Sequence, residues 1–240
     1  DKTVSDEDRP YARLPQFLVN YKTGNPLGLQ YEFNNDTAYF KKDINLSNTA
    51  NPGSFEPSGT RIYNDFAVRY NYRNPWSFVI PEVSIRNVNT FYDQDTINAN
   101  QNTNSSSENQ SVTVPQFTLD TGLTFEKDGK YLQTLTPRAF YAYAPYKNQE
   151  GYPNFDSATA SINYDQLFSP RRFYGHDRLE DNNFLSLGLS YSLFDEIGLE
   201  RLKTSIGQSF YFEDRRVKLD NQSDEFDTER HTGPVLSVSS

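Results

Sequence analysis

The sequence predicts an all-β fold, an antiparallel transmembrane β-barrel of the outer-membrane type. Three observations predict it. Apolar and polar residues alternate along most of the chain, the period of a strand with two different faces. The connections between alternating stretches run short, long, short, long, the layout of a meander with tight turns at one end and long loops at the other. The stretches are roughly 9 to 15 residues, longer than the about 5 to 6 of an average strand and suited to a tilted membrane crossing.

Taken in order, LPQFLVNY at 14–21 is the first strand, and Thr23-Gly24-Asn25 turns the chain before Pro26. The second sets Leu27, Leu29, Tyr31, Phe33, Thr37 and Tyr39 against Gln30, Glu32, Asn34 and Asp36. Residues 41–60 form a long polar loop. The third sets Ile62, Phe66, Val68, Tyr70 and Tyr72 against Arg61, Asp65, Arg69 and Asn71, and Asn74-Pro75 marks a turn. The fourth, about 78–92, changes phase. Val83 and Ile85 fit one frame and Val88, Thr90 and Tyr92 the next, so a β-bulge is expected near Arg86-Asn87. Residues 93–113 are a low-complexity loop.

The fifth and sixth strands meet at Lys127-Asp128-Gly129-Lys130. Leu119, Leu123 and Phe125 alternate with Asp120, Gly122, Thr124 and Glu126; Leu135, Pro137, Ala139, Tyr141 and Tyr143 then oppose Thr134, Thr136, Arg138 and Phe140. A very long loop, 146–181, leads to the seventh strand, with Leu185, Leu187, Leu189, Tyr191 and Leu193 opposite Ser186, Gly188, Ser190 and Ser192. After the short stretch 195–199 the eighth carries Leu202, Thr204, Ile206, Phe210 and Phe212. A loop at 214–231 precedes a ninth strand that begins after Thr232.

Composition agrees with this class. Mean hydropathy is −0.80, yet there are 17 Tyr and 18 Phe, a β-forming set that a disordered chain lacks. Tyr70, Tyr72, Phe91, Tyr92, Tyr141, Tyr143, Phe210 and Phe212 gather near strand ends, as interfacial girdles do. No run of ~18 apolar residues marks a membrane helix. With no cysteine, no disulfide or Cys-held metal is available. A net charge of −9 argues against a nucleic-acid partner. The chain opens at Asp1 with no leader pattern and is read as a processed or excised portion.

Faces are assigned from the same alternation. The apolar face is expected against lipid and the polar face against a wet lumen, with Gln30, Glu32, Asp65, Arg69, Asp120, Glu126 and Arg138 facing that lumen. Arg69 and Arg138 either simply line water, pair with Asp65, Asp120 or Glu126, or meet an anionic ligand or a plug protein. Pro81, Pro115, Pro137 and Pro145 fall inside strands, where proline belongs to ends, edges or bulges.

Chemistry is sparse. His176 and His231 lie in different loops without metal-ligand spacing, and Asp93/Asp95 and Asp224/Glu225 read as solvated charge. No nucleophile elbow, P-loop or dinucleotide fingerprint is present, so neither catalysis nor a cofactor is expected. Two other readings of the alternation stay open: a self-contained eight-stranded pore or adhesin, and a soluble β-sandwich that binds carbohydrate with its tyrosines.

PYARLPQ at 10–16, LTPRAFYAYAPYKNQ at 135–149, PNFDSA at 153–158, YDQLFSPRRFYGHDRLEDNNFLSLGLS at 164–190 and IGQSFYFEDRRV at 206–217 carry a resemblance. Together they resemble the lipopolysaccharide-assembly outer-membrane protein family (LptD, the organic solvent tolerance proteins). The resemblance implies a very large barrel in the bacterial outer membrane, of which this chain supplies about 8–9 consecutive strands from the middle. It implies lipopolysaccharide as cargo, a lipoprotein (LptE) plugging the lumen, and a periplasmic lipopolysaccharide bridge received by an N-terminal domain absent here. It singles out Gly175, Asp177, Arg178, Asp181 and Asn182 as a family-motif loop. The barrel seam through which lipid leaves and the family's disulfide cysteines fall on no residue of this chain. The four long loops are then expected outside the cell.

Overall fold

The computed structural model describes residues 11–41, 58–93, 109–219 and 227–239. Nine strands form one antiparallel sheet in chain order: β1 (Ala12–Gly24), β2 (Leu29–Lys41), β3 (Gly59–Tyr70), β4 (Ser77–Tyr92), β5 (Gln110–Leu123), β6 (Leu132–Ala144), β7 (Asn182–Phe194), β8 (Glu200–Tyr211) and β9 (Val235–Ser239). Short strands at Tyr72–Asn74 and Phe125–Lys127, which follow β3 and β5, pair with β4 and β6, and Phe173–Tyr174 pairs with Ala158–Thr159 in a two-stranded piece of its own. No α-helix occurs among the described residues, only a 3-10 turn at Asp165–Phe168. The sheet is open, with β1 at one edge and β9 at the other, so it is part of a larger barrel wall.

The turns follow from local chemistry. Asn25 accepts at Oδ1 from the amides of Leu27 and Leu29, and Gly28 takes φ +89°. Asp195 does the same for Ile197 and Leu199 around Gly198 at φ +80°. Such a side chain mimics a backbone turn, and a left-handed position favours glycine.

The expected bulge at Arg86-Asn87 is absent. β4 keeps register through Arg86↔Asp65, Asn87↔Asn64 and Val88↔Tyr63, and likewise against β5. The apparent phase change has another cause. The face that holds Ser84 and Arg86 also holds Val88, and there it is covered by protein rather than water. Tyr63, Val88, Val112, Val114, Ala144 and Leu179 form a buried cluster. Register shifts occur instead between Arg13 and Gln16 and between Leu193 and Phe194.

The two faces have different surroundings. One is bare and apolar: Phe66, Val83, Ile85, Leu187, Leu189 and Ile206 are 41–56% exposed. The other is covered over much of its area by residues 145–181, which fold back across the sheet. Within the loops expected at 41–60, 93–113 and 214–231, residues 42–57, 94–108 and 220–226, with Asp95, Asp224 and Glu225 among them, lie outside the described residues; the loop at 146–181 is described throughout. Pro115 sits where β5 has parted from β6, since their pairing ends at Phe117↔Tyr143. Pro81 and Pro137 stand within paired stretches, on the bare face opposite Leu119 and Leu189.

Candidate functional site

The inward loop is held by ion pairs that reach it from the wall. Arg61, on β3, is fully buried. Its Nη1 donates to Asp177 Oδ1 at 2.7 Å and also to Asp156, its Nη2 donates to Asp156 Oδ2 at 3.2 Å, and Asp36 of β2 stands 3.5 Å away. Arg13 adds a second guanidinium on Asp156 at 3.0 Å. Arg86, on β4, donates to Glu180 Oε2 at 2.6 Å, both side chains being nearly dry. Arg171, from the loop, answers Asp65 of β3 at 3.3 Å. Buried charges are stable only when paired and hydrogen-bonded in this way.

The motif loop is the other half of this arrangement. Asp177 also accepts at Oδ2 from the amides of Phe155, Asp156 and Ser157 and from Ser157 Oγ, so it closes the loop on itself while holding the wall. Gly175, at φ +83°, passes so close to Ser157 that a Cβ would stand 2.5 Å from Ser157 Oγ. Arg178 is bound entirely by carbonyls, those of Tyr152, Pro153, Asp177 and Lys218. Asp181 takes Arg172 and the amides of Arg216 and Val217. Asn182 opens β7 and donates to the Pro170 carbonyl.

A second contact is apolar and depends on small residues. Gly122, Arg138, Gly188 and Gly207 lie in one row across β5 to β8. On Gly188 and Gly207 of this row, on the covered face, rest Tyr164, Leu167 and Phe168 of the 3-10 turn, buried with Phe140, Ala142 and Phe184. A Cβ at Gly188 would stand 2.4 Å from Phe168 Cζ and 2.7 Å from Tyr164 Oη. Ser186 Oγ donates to the Leu167 carbonyl and meets Ser209 Oγ at 2.6 Å; Ser190 Oγ donates to Tyr164 Oη at 2.9 Å. The Ser-Gly face of β7, expected to meet water, is a dry dock at Ser186, which is fully buried. Small residues that suit a wet lumen also leave room for an inserted turn.

The seven polar-face residues are distributed unevenly. Gln30, Arg69 and Asp120 line a recess of about 290 Å³ beside the loop, with Glu82 and Phe168. Arg69 Nε donates to Glu82 at 2.6 Å rather than to Asp65. Arg138 grips Asp120 with two bonds of 2.8 and 2.7 Å and stacks over Phe168 at 4.3 Å. Glu32 pairs with Lys22 at 3.6 Å and accepts from Asn34. Asp65 accepts from Tyr63 Oη at 3.2 Å as well as from Arg171. Glu126 stands apart on the exposed short strand after β5. The partners that sequence reading missed are Arg61, Arg86, Asp156 and Glu180. Their signal was two arginines on the polar face of central strands, alongside an acidic loop of matching charge.

Two loop groups are electrostatically perturbed. His176 stacks on Tyr63 at 3.9 Å, and burial, with the charges of Arg171 and Arg61, pushes its pKa down to about 4. Burial alone would raise the Glu180 carboxyl, but the charge and hydrogen bond of Arg86 outweigh it and hold Glu180 below its ordinary value. Among the described residues no group of three or more His, Asp or Glu is placed to hold a metal ion.

Comparison with known proteins gives one answer. The family model LptD, "LPS transport system D", matches residues 1–239. The chain is 72% identical over its whole length to the LPS-assembly protein LptD of Acinetobacter baylyi, covering 29% of that protein. It is 73% identical to the protein of that name from Acinetobacter baumannii, covering 28%, and 37% identical over 98% of its length to that of Psychrobacter cryohalolentis, covering 24%. The chain thus spans less than a third of these relatives.

Proposed function

The chain belongs to the LptD family, and from that premise we propose that it is one stretch of barrel wall in a bacterial outer-membrane protein that assembles lipopolysaccharide at the cell surface. Its bare face meets lipid. Its other face lines the lumen, and the loop at 145–181 fills part of that lumen from within. The other three long connections lie outside the cell, the loop at 145–181 enters the lumen from that side, and the short turns near 24, 75, 128 and 197 face the periplasm.

The observation that carries this reading is the contrast between the two faces. An exposed belt of Phe66, Val83, Ile85, Leu187 and Leu189 has no aqueous role. On β7 the apolar set Leu185 to Leu193 spans nine residues, the length a tilted strand needs to cross hydrocarbon. The lumen face offers wall, recess and loop, an arrangement that suits passage. A lumen-plugging lipoprotein (LptE) and the periplasmic lipopolysaccharide bridge act with the full-length protein.

The test is depletion of the full-length protein from cells. Newly made lipopolysaccharide should cease to reach the outer surface, measured by antibody binding to intact cells. Arrival at an undiminished rate would overturn the proposal.

A further inference from the structure

On the bare face a row of uncharged polar side chains crosses four strands. Asn35, Asn64, Asn87 and Thr113 are register partners on β2, β3, β4 and β5. Asn35 Nδ2 donates to Asn64 Oδ1 at 2.9 Å, and Asn87 Nδ2 to Thr113 Oγ1 at 2.9 Å. The adjoining row toward the short turns is apolar: Phe33, Phe66, Ile85 and Pro115. Toward the loop ends the sheet continues with Thr37, Ile62, Asn89 and Ser111, then Tyr39, Thr60 and Phe91. No outward side chain in these rows is charged; Lys41 and Asp93 come only at the strand ends.

Amide side chains are costly in hydrocarbon, so the hydrocarbon layer ends at this row. From Asn87 to Phe91 about 14 Å of wall then stands in the headgroup layer. A surface built to meet phosphate would carry Arg or Lys. Here the groups on offer are amides, hydroxyls, two aromatic rings and the aliphatic Ile62, which suit the hydroxyls and C–H faces of uncharged sugars. Next to the ladder, where β5 and β6 part, a groove of about 370 Å³ is lined by Phe66, Val83, Ile85, Phe117, Tyr143 and Pro145. Polar ladder and apolar groove are continuous.

We propose that the asparagine ladder and this groove form an outward seat for a saccharide-headed lipid of the outer leaflet, acyl chain in the groove and uncharged sugars on the ladder. The proposal rests on the outer-membrane reading above. It is tested by placing the photocrosslinking residue p-benzoylphenylalanine at Asn87, Thr113 or Val83 of the full-length protein. The cells make either complete lipopolysaccharide or lipopolysaccharide cut back to its phosphorylated lipid anchor, without its uncharged sugars. Val83 should capture both forms equally. Capture at Asn87 and Thr113 should fall about tenfold with the truncated form, the loss expected from one or two sugar hydrogen bonds. Equal capture of both forms at Asn87 and Thr113, or capture of glycerophospholipid there, with Val83 adducts intact, overturns the seat alone. No lipid adduct at any of the three positions overturns the outer-membrane reading with it.

Discussion

Arg86 on the fourth strand donates a 2.6 Å hydrogen bond to Glu180 at the end of the inward loop, and neither side chain is more than 3% exposed. Removing one partner leaves the other as a bare buried charge, at a cost of about 3–5 kcal/mol. Arg86→Ala or Glu180→Ala in the full-length protein should therefore release the loop. The readout is protease cleavage between residues 145 and 181 in isolated membranes. The double variant Arg86→Met, Glu180→Leu should regain much of the protection, since a well-packed apolar pair carries no desolvation cost. Equal protection of the single variants and wild type would refute the latch.

The glycine track gives a steric test. Gly188→Val drives atoms into Phe168 and Tyr164, whereas a Cβ at Gly129 meets nothing nearer than 3.7 Å. Gly188→Val should lower the thermal midpoint in detergent and expose the 3-10 turn, at about 1–3 kcal/mol for overpacking. Gly129→Val should behave as wild type. Indifference of both would show that the turn does not rest on the track.

Charge on either face of β7 should be harmful, for different reasons. Leu187→Arg places a cation on the lipid face, costing about 2–4 kcal/mol near the midplane; it should impair barrel assembly, read by heat-modifiable gel migration. Ser186→Arg overfills a fully buried site under Leu167. It should dislodge the loop, read by protease, while the barrel still migrates as folded. Reversal of the two readouts would exchange the two faces.

Acidification should loosen the loop in two stages. His176, with a pKa near 4 when docked and an ordinary value of 6.5, binds a proton more readily once released. Docking therefore weakens as pH falls from about 6.5 to 4, and is unaffected by this group above that range. Arg171 and Arg61 oppose the proton, while Asp36 and Asp156 favour it. Glu180, held below its ordinary 4.5, adds a further loss at lower pH as it protonates and releases Arg86. Hydrogen exchange of the loop amides between pH 7 and 4 should show the first stage, and His176→Gln should abolish it.

Alternation alone was enough to read the antiparallel meander. The fourth strand, expected at about 78–92, runs Ser77–Tyr92, and the seventh, read from Leu185 to Leu193, runs Asn182–Phe194. The loop was harder to read, because a polar connection has the same composition whether it stands in water or folds into a polar interior. Asp177 and Arg178 look like surface charge until Arg61 and a ring of carbonyls close around them. The same ambiguity produced the false bulge. Val88 faces inward because Leu179 covers it, and periodicity within one strand carries no information about a cover supplied some ninety residues later. Besides the wall arginines there was an apolar clue: Tyr164, Leu167, Phe168 and Phe173 have no place in a solvated loop.

The latch also orders the protein's own assembly. Arg61 and Asp177 are 116 residues apart in the chain. Strands β3 and β4 can zip together early, but until the distant acidic segment arrives Arg61 has only Asp36 of the neighbouring strand, at 3.5 Å, and Arg86 lacks Glu180. Closing so long a loop is slow. The half-made wall is consequently an intermediate that water stabilises and hydrocarbon does not. A chain cut before residue 177 should therefore stay in that state and fail to enter the bilayer.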